Sequence, residues 1–278
     1  MCYRFPLMRG LSAVRRFASA PGNLVKEWRM AWPRVADGHS FLRYAADTVL
    51  YRGLYFARSS ERKRTIRMGE GVKLTYRLNR GDIQAVREVW VEECYRPPVD
   101  IPIDTVVDLG ANIGLTSLWY ATHGASRLLC VEPLPENATL ARRNLVQNGV
   151  RADFVQAAVG PADGTTRFKK DDDYSTRGHV VAAGGIEVSV LSMPTLLRRL
   201  DGTPVDLVKI DVEGAEDPLL RGDLAWLDRV RAVIIEFDCG DSVELSRILK
   251  THGFRYVPAG SVWWNSMDFF IRDTAVRQ

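Results

Sequence analysis

The second half of the chain alternates short apolar runs with longer amphipathic segments. The short runs predict strands at 104–109, 128–132, 153–157, 206–211, 231–237 and 267–272. The amphipathic segments between them predict helices at 114–123, 135–148, 215–221 and 241–252. This alternation is typical of βαβ units that build a parallel sheet. We therefore expect a doubly wound α/β fold for this half of the chain.

The first hundred residues follow a different pattern. Apolar positions in 38–58 recur at three- and four-residue spacing, which predicts an amphipathic helix. Two β-like segments follow at 65–68 and 72–78, separated by a glycine-rich turn signal. A helix capped by Asn79 should then cover residues 82–95. These elements predict a small α+β extension in front of the α/β domain.

The proline pair Pro97-Pro98 marks the predicted boundary between the two parts. We expect a basic N-terminal arm at 1–36, the extension at 37–98 and the α/β domain at 99–278. The arm carries seven basic residues against one acid, a composition typical of organelle-targeting or membrane-surface segments. A packed helical arm or an unstructured leader is the alternative interpretation.

Composition narrows the class of protein. Hydrophobic residues make up 46% and charged residues 26% of the 278 residues, as in a globular protein. The net charge of +4 is far from the concentrated basic surface of nucleic-acid-binding proteins, so no nucleic-acid partner is expected. Four cysteines without CxxC spacing predict neither a zinc site nor a disulfide framework and favour the cytoplasm. No apolar run is long enough to predict a transmembrane segment.

The strongest local signal is a buried strand that enters a turn of small residues at 106–114. Gly110, Ala111, Asn112 and Gly114 form this turn, where the backbone can approach a ligand and the next helix offers free N–H groups. A nucleotide-like ligand commonly binds at such a place in a parallel sheet. An NAD fingerprint would read GxGxxG instead, and the carboxylate of Asp108 would repel a pyrophosphate. Asp108 suits a ligand with a cationic amino-acid tail.

Two further strand ends complete the predicted nucleoside site. Glu132 ends the second strand, where a carboxylate can accept both hydroxyls of a ribose. Ala157 and Ala158 end the third strand, where small residues can flank an adenine ring.

Acidic residues also follow two later strands. Asp211 and Glu213 follow the strand at 206–211, and Glu236 ends the next one. Because parallel strands end at one edge of the sheet, we expect these acids to face the crevice beside Gly110. Carboxylates there could bind the ammonium group of the ligand or accept a proton from a hydroxyl. Glu216 is expected to interact with its helix dipole.

Several ordered motifs over about residues 82–272 resemble the FkbM-type family of S-adenosylmethionine-dependent methyltransferases. The motifs that carry the resemblance are VVDLGANIGLTS at 106–117, VEPLPEN at 131–137, VQAAVG at 155–160, LVKIDVEGAE at 207–216 and IIEFD at 234–238. The resemblance implies a seven-stranded class I sheet, with the methionine end of S-adenosylmethionine near residues 108–112. It also implies a small-molecule acceptor, usually a hydroxyl of a sugar, glycan or polyketide-type natural product, with Asp211, Glu213 and Glu236 on the acceptor side.

A long polar insertion after the third strand contains two candidate acceptor-binding residues, Arg177 and His179. The aspartates at 171–173 predict no metal site, because consecutive acids in a loop point apart. Trp90 and Tyr95 are expected to pack in the core, as are Trp263 and Trp264, although all four could line an acceptor pocket.

The sequence thus predicts an S-adenosylmethionine-dependent O-methyltransferase. The alternatives are an N-methyltransferase, an NAD-dependent oxidoreductase and a non-catalytic nucleoside-binding scaffold. A homo-oligomer is left open.

Overall fold

The protein is described by a computed structural model that covers residues 22–53, 60–170, 178–180, 184–237, 241–258 and 267–273. The first five strands are β1 Ser60–Arg67, β2 Lys73–Leu78, β3 Thr105–Leu109, β4 Arg127–Val131 and β5 Asp153–Val155. The later strands are β6 Ala158–Val159, β7 Gly164–Lys170, β8 Gly178–Val180, β9 Ile186–Leu191, β10 Val205–Ile210, β11 Val230–Ile235, β12 Phe254–Val257 and β13 Asp268–Arg272.

Helices fill most of the connections. In chain order they are α1 at 22–31, α2 Gly38–Asp47, α3 Arg80–Val86, α4 Leu115–Thr122, α5 Pro135–Gln147, α6 Met193–Arg198, α7 Glu216–Leu220 and α8 Ser242–Thr251. Short 3-10 or π-type turns complete them at Trp32–Arg34, Thr48–Gly53, Gly69–Gly71, Arg87–Val91 and Ala225–Arg229. Within the described ranges, no helix is long and apolar enough to cross a membrane.

A seven-stranded sheet forms the centre of the molecule, in the order β12-β13-β11-β10-β3-β4-β5. The five strands from β11 to β5 run parallel, and β13 lies antiparallel between β11 and β12 at one side. This arrangement confirms the predicted doubly wound, mostly parallel α/β fold. The strand predicted at 267–272 is confirmed as β13.

Both faces of the sheet are covered, which explains the continuous apolar runs in its strands. Neighbouring residues of β3 point to opposite faces: Val106 packs in one hydrophobic cluster and Val107 in the other. The cluster around Val106 also contains Leu74 and Tyr76 of β2, so the N-terminal extension shares a core with the sheet.

The extension contains the predicted elements with some shifted ends. The helix predicted at 38–58 is confirmed as α2 and a π-type turn up to Gly53, and residues 54–59 lie outside the described part. Asn79 caps α3 as predicted, by accepting from the backbone N–H of Asp82. The helical segment ends at Val91 rather than at Tyr95, because Glu93 adopts a left-handed φ of 53°.

Amide side chains at the C-terminal end of α5 bind the backbone of β2. Asn148 Oδ1 accepts from Lys73 N at 2.8 Å and Asn144 Oδ1 accepts from Thr75 N at 2.9 Å. The Asn144 amide also donates to the carbonyls of Thr75 and Ile113, at 2.9 and 2.8 Å. The amides therefore satisfy backbone groups that a strand edge would otherwise expose. They dock the extension on the helix that follows β4.

The polar insertion after β5 folds into a second sheet, ordered β6-β9-β7-β8, which the sequence did not predict. Phe168 and Val188 of this sheet are buried with Leu134 in a small cluster, and Val159 of β6 packs against the large sheet. Most other described side chains of its strands are exposed or half-buried, so these strands lack a clear apolar alternation. The short strand β12 and the helix α6 were also not predicted. The arm predicted at 1–36 is described only from residue 22, and the domain boundaries remain predictions.

Candidate active site

The carboxyl ends of β3, β4 and β10 meet at one edge of the large sheet. The N–H groups of Gly110 and Ala111 both donate to Val131 O at 2.9 Å, which ties the turn after β3 to the end of β4. The N–H of Asp211 donates to Leu109 O at 3.2 Å, which ties the turn after β10 to the end of β3. The predicted residues 108–114, 132 and 211 are thereby brought to the same edge.

The two glycines of the turn are required by packing within the protein. Gly110 has a φ of 76°, and a Cβ there would lie 1.8 Å from the carbonyl oxygen of Asp211. Gly114 has a φ of 78°, and a Cβ there would lie 2.9 Å from Cα of Ala141 in α5. The sequence suggested that these glycines admit a ligand. The structure adds a second reason, namely that neighbouring backbone passes too close for any side chain.

Glu132 is a nearly buried carboxylate with three protein hydrogen bonds. Its Oε2 accepts from Asn112 N at 2.9 Å, and its Oε1 accepts from Leu134 N at 3.0 Å and Asn137 Nδ2 at 3.3 Å. Burial raises the pKa of Glu132 to about 7, although these hydrogen bonds oppose the shift. A carboxylate has about four acceptor positions, so Glu132 keeps capacity for about one more donor. The expected contact of Glu132 with both hydroxyls of a ribose stays a prediction.

Asn112 contributes an acceptor without a partner. Its Oδ1 is buried, and no described residue donates a hydrogen bond to it. A buried oxygen in this state calls for a donor from a ligand or from ordered water. Asn112 has a left-handed φ of 49°, and in this conformation its backbone N–H donates to Glu132 Oε2. Ala157, between β5 and β6, is buried, and Ala158 at the start of β6 is half-buried.

Lys209 is the main residue that the sequence analysis missed. Its ammonium is buried 3.3 Å from Asp108 Oδ1 and 3.4 Å from Asp211 Oδ2. It also donates to the carbonyls of Leu109 at 3.2 Å and Gly110 at 2.7 Å. Burial alone would lower the pKa of Lys209, but the two carboxylates outweigh it and the pKa is raised overall. Lys209 therefore holds the ends of β3 and β10 together as a buried cation.

Asp108 lies behind the turn rather than on its surface. Its side chain is fully buried, with Oδ2 accepting from Ser117 Oγ at 2.5 Å and Oδ1 beside Lys209. The signal for Lys209 was present in the sequence, since a lysine inside the apolar strand LVKI must be paired. Its partner Asp108, however, lies 101 positions away. A local sequence pattern could therefore not identify the pair.

Tyr95 connects the N-terminal extension to Asp211 at the carboxyl end of β10. Its hydroxyl donates to Asp211 Oδ2 at 2.7 Å, and its ring centroid lies 5.2 Å from Lys209 Nζ. Burial raises the pKa of Tyr95 well above its usual value, and the charges of Asp211, Glu236 and Glu88 raise it further. Tyr95 is buried, as the core-packing interpretation expected, and in addition orients Asp211.

Glu213 and Glu236 flank Asp211. Glu213 has a left-handed φ of 52°, a strained conformation for a side chain of this size. The turn it belongs to is organised by Glu216, which is fully buried and accepts from the N–H groups of Val212 and Gly214. Glu216 lies in the first turn of α7, as the helix-dipole interpretation expected. In addition, its hydrogen bonds stabilise the turn after β10. Glu236 is half-buried, and its N–H donates to Ile210 O at 3.0 Å.

Some predicted residues cannot be placed. Arg177, the aspartates at 171–173 and the Trp263-Trp264 pair lie outside the described residues, and of His179 only the backbone in β8 is described. In the described ranges no cluster of three or more His, Cys, Asp or Glu side chains could hold a metal ion.

Comparison with known proteins assigns the family. The Methyltransferase FkbM domain matches residues 108–256, which is more than half of the chain. The chain is 29% identical over 234 residues to the 31-O-demethyl-FK506 methyltransferase FkbM of Streptomyces tacrolimicus, covering 69% of this chain and 89% of that protein. It is 29% identical over 246 residues to the methyltransferase sdnD of Sordaria araneosa, covering 73% of this chain and 93% of that protein.

A third relative is the hexuronic acid methyltransferase AglP of Haloferax volcanii, 25% identical over 183 residues, covering 60% of this chain and 74% of that protein. The chain belongs to the FkbM methyltransferase family. It is therefore a methyltransferase, which decides against the NAD-dependent oxidoreductase and the non-catalytic scaffold. The resemblance stated from the motifs is confirmed.

Proposed function

We propose that the protein is an S-adenosylmethionine-dependent O-methyltransferase that acts on a hydroxyl of a small molecule such as a sugar, glycan or polyketide-type natural product. The observation that carries the proposal is one sheet edge that combines the acceptor oxygens of Glu132 and Asn112 with the carboxylate of Asp211. The names of two relatives, which refer to a 31-O-demethyl substrate and to a hexuronic acid, support a hydroxylated acceptor.

The residues at this edge fit the proposed donor. Asn112 Oδ1, which no described residue satisfies, would accept from the ammonium group or a hydroxyl of the donor. Glu132 would accept one ribose hydroxyl at its remaining position. Ala157 and Ala158 would flank the adenine, since small side chains leave room for a ring. Asp108 would act from behind the turn by holding Lys209 and Ser117.

S-adenosylmethionine supplies an electrophilic methyl group on a sulfonium centre. The chain itself has to align the acceptor and remove its hydroxyl proton. Among the described residues, the side-chain contacts of Asp211 use Oδ2, which accepts from Tyr95 and faces Lys209. Its Oδ1 is the atom that would take the proton. Glu213 and Glu236 would accept hydrogen bonds from other hydroxyls of the acceptor.

The first test is isothermal titration of the full chain with S-adenosylhomocysteine. Binding is expected, and its absence would remove the proposal. The protein is then incubated with S-adenosylmethionine and panels of hydroxylated and amine-bearing metabolites, and products are screened by mass spectrometry for one added methyl group. Transfer only to amines would favour the N-methyltransferase alternative.

The role of Asp211 is tested by replacing it with Asn. We expect turnover to fall by about 10²- to 10⁴-fold, the usual contribution of a general base, while the affinity for S-adenosylhomocysteine is kept. Asp217→Asn is the matched control, because Asp217 lies in the next helix in an exposed ion pair with Arg221. A near-normal rate for Asp211→Asn would assign the base elsewhere.

A further inference from the structure

A chain of polar contacts links the N-terminal hairpin to Glu132. Arg77 lies on β2 with a side chain that is only 1% exposed. Its Nε and Nη2 pair with the two carboxylate oxygens of Asp82 at 2.8 and 2.9 Å. The same Nη2 donates to Asn137 Oδ1 at 2.6 Å. Asn137 is buried in the first turn of α5, and its Nδ2 lies 3.3 Å from Glu132 Oε1.

Arg77 decides which way the Asn137 amide points. A guanidinium has only donors, so the amide oxygen must face Arg77 and the NH₂ group must face Glu132. Without Arg77 the amide could turn, and its oxygen would then confront the Glu132 carboxylate. The orientation of a hydrogen-bond donor to Glu132 is therefore set by a residue of another element.

The hairpin is held in this position along the whole of β2. Lys73 is bound by Asn148, the residue that follows α5, and Thr75 by Asn144 within α5. Arg77 contacts Asn137, near the start of the same helix. All three β2 residues precede residue 108, where the match to the family domain begins. The part of the chain that orients Asn137 is thus outside the matched domain.

We infer that Arg77 is a positioning residue for the methyl donor, and that the N-terminal hairpin thereby completes the donor site. Arg77 acts through Asn137, which presents its amide to Glu132 and keeps the carboxylate directed toward the ribose. The inference rests on the proposed function, because it assumes that Glu132 binds the donor.

Titration with S-adenosylhomocysteine tests the inference on a set of full-length variants. Arg77→Met is expected to weaken binding by about tenfold or more, the effect of losing an oriented hydrogen bond to a charged group. Arg77→Lys should recover part of the affinity, because a lysine can still donate to Asn137 Oδ1. Arg64→Met is the matched control: Arg64 lies on β1 of the same hairpin and pairs with the buried Asp47 at 2.6 Å, rather than with Asp82 or Asn137. It should leave the affinity within about twofold.

Asn137→Ala gives a second route, because it leaves the pair of Arg77 with Asp82 intact. It should weaken binding as much as Arg77→Met, and the double variant should lose no more than either single variant, since both act on one contact. Circular dichroism of each variant checks that the titrated protein is folded. With an acceptor in hand, the KM for S-adenosylmethionine should rise in both variants while the acceptor KM stays unchanged.

Glu132→Ala separates the two possible failures. If Glu132→Ala retains donor affinity, the proposed donor site is wrong. If Glu132→Ala loses affinity but Arg77→Met and Asn137→Ala do not, the donor site stands and the positioning role is overturned. An equal loss in Arg64→Met would also overturn it, because the effect would then report general damage to the hairpin.

Discussion

Replacing Lys209 with Met should be among the most damaging single changes in the sheet. The substitution keeps a long apolar stem and removes the charge that lies 3.3 Å from Asp108 Oδ1 and 3.4 Å from Asp211 Oδ2. It leaves the fully buried Asp108 carboxylate without its cation. Removing one partner of a buried ion pair costs about 3–5 kcal/mol. Because Asp211 is partly exposed, water would compensate its loss, and we assign the cost mainly to Asp108.

Urea unfolding at neutral pH, followed by circular dichroism, measures this loss. The matched variant is the double substitution Lys209→Met with Asp108→Asn, which removes both charges and keeps the shapes. We expect it to regain about 2 kcal/mol or more over Lys209→Met alone, because the uncompensated buried charge is gone. A loss below about 1 kcal/mol in Lys209→Met, which is the range of exposed ion pairs, would refute the reasoning.

The pH dependence of this loss follows from the raised pKa of Lys209. A lysine whose pKa is raised on folding stabilises the protein fully below the unfolded pKa of about 10.4 and loses that effect above its folded pKa. The difference between the wild-type chain and Lys209→Met should therefore be constant near neutral pH. It should decrease at strongly alkaline pH, where Lys209 of the wild-type chain loses its proton.

Three further predictions concern the same edge. Because the pKa of Glu132 is raised to about 7, affinity for S-adenosylhomocysteine should increase as the pH is raised through that value, and Glu132→Gln should abolish the increase in titrations at several pH values. Gly110→Ala should unfold the protein at lower urea than Gly149→Ala: both glycines have a positive φ, but at Gly149 a Cβ would contact nothing within 4 Å. A similar midpoint for both would contradict the close approach to Asp211. Tyr95→Phe should lower turnover and spare donor affinity, since it removes only the hydrogen bond to Asp211; an unchanged rate would show that this bond has no role.

The sequence by itself determined the order of the strands that form most of the large sheet and of the helices α4, α5, α7 and α8. Helix and strand periodicities depend on residues two to four positions apart, so β3, α4, β4 and α5 could be predicted to within a few residues. The motifs also located the turn after β3 and the acids after β10. The second sheet could not be predicted, because the described side chains of its strands are mostly exposed or half-buried and so carry little periodic signal.

Only the tertiary structure decided how these residues work together. Tyr95 and Asp211 are 116 positions apart, and Arg77 and Asn137 are 60 positions apart, so no local pattern pairs them. Gly110 is a glycine because the backbone of Asp211 passes beside it, a contact between two strands distant in sequence. Lys209 is charged in the core because strand pairing places Asp108 beside it. Such contacts depend on the packing of separate elements, which chain periodicity does not encode.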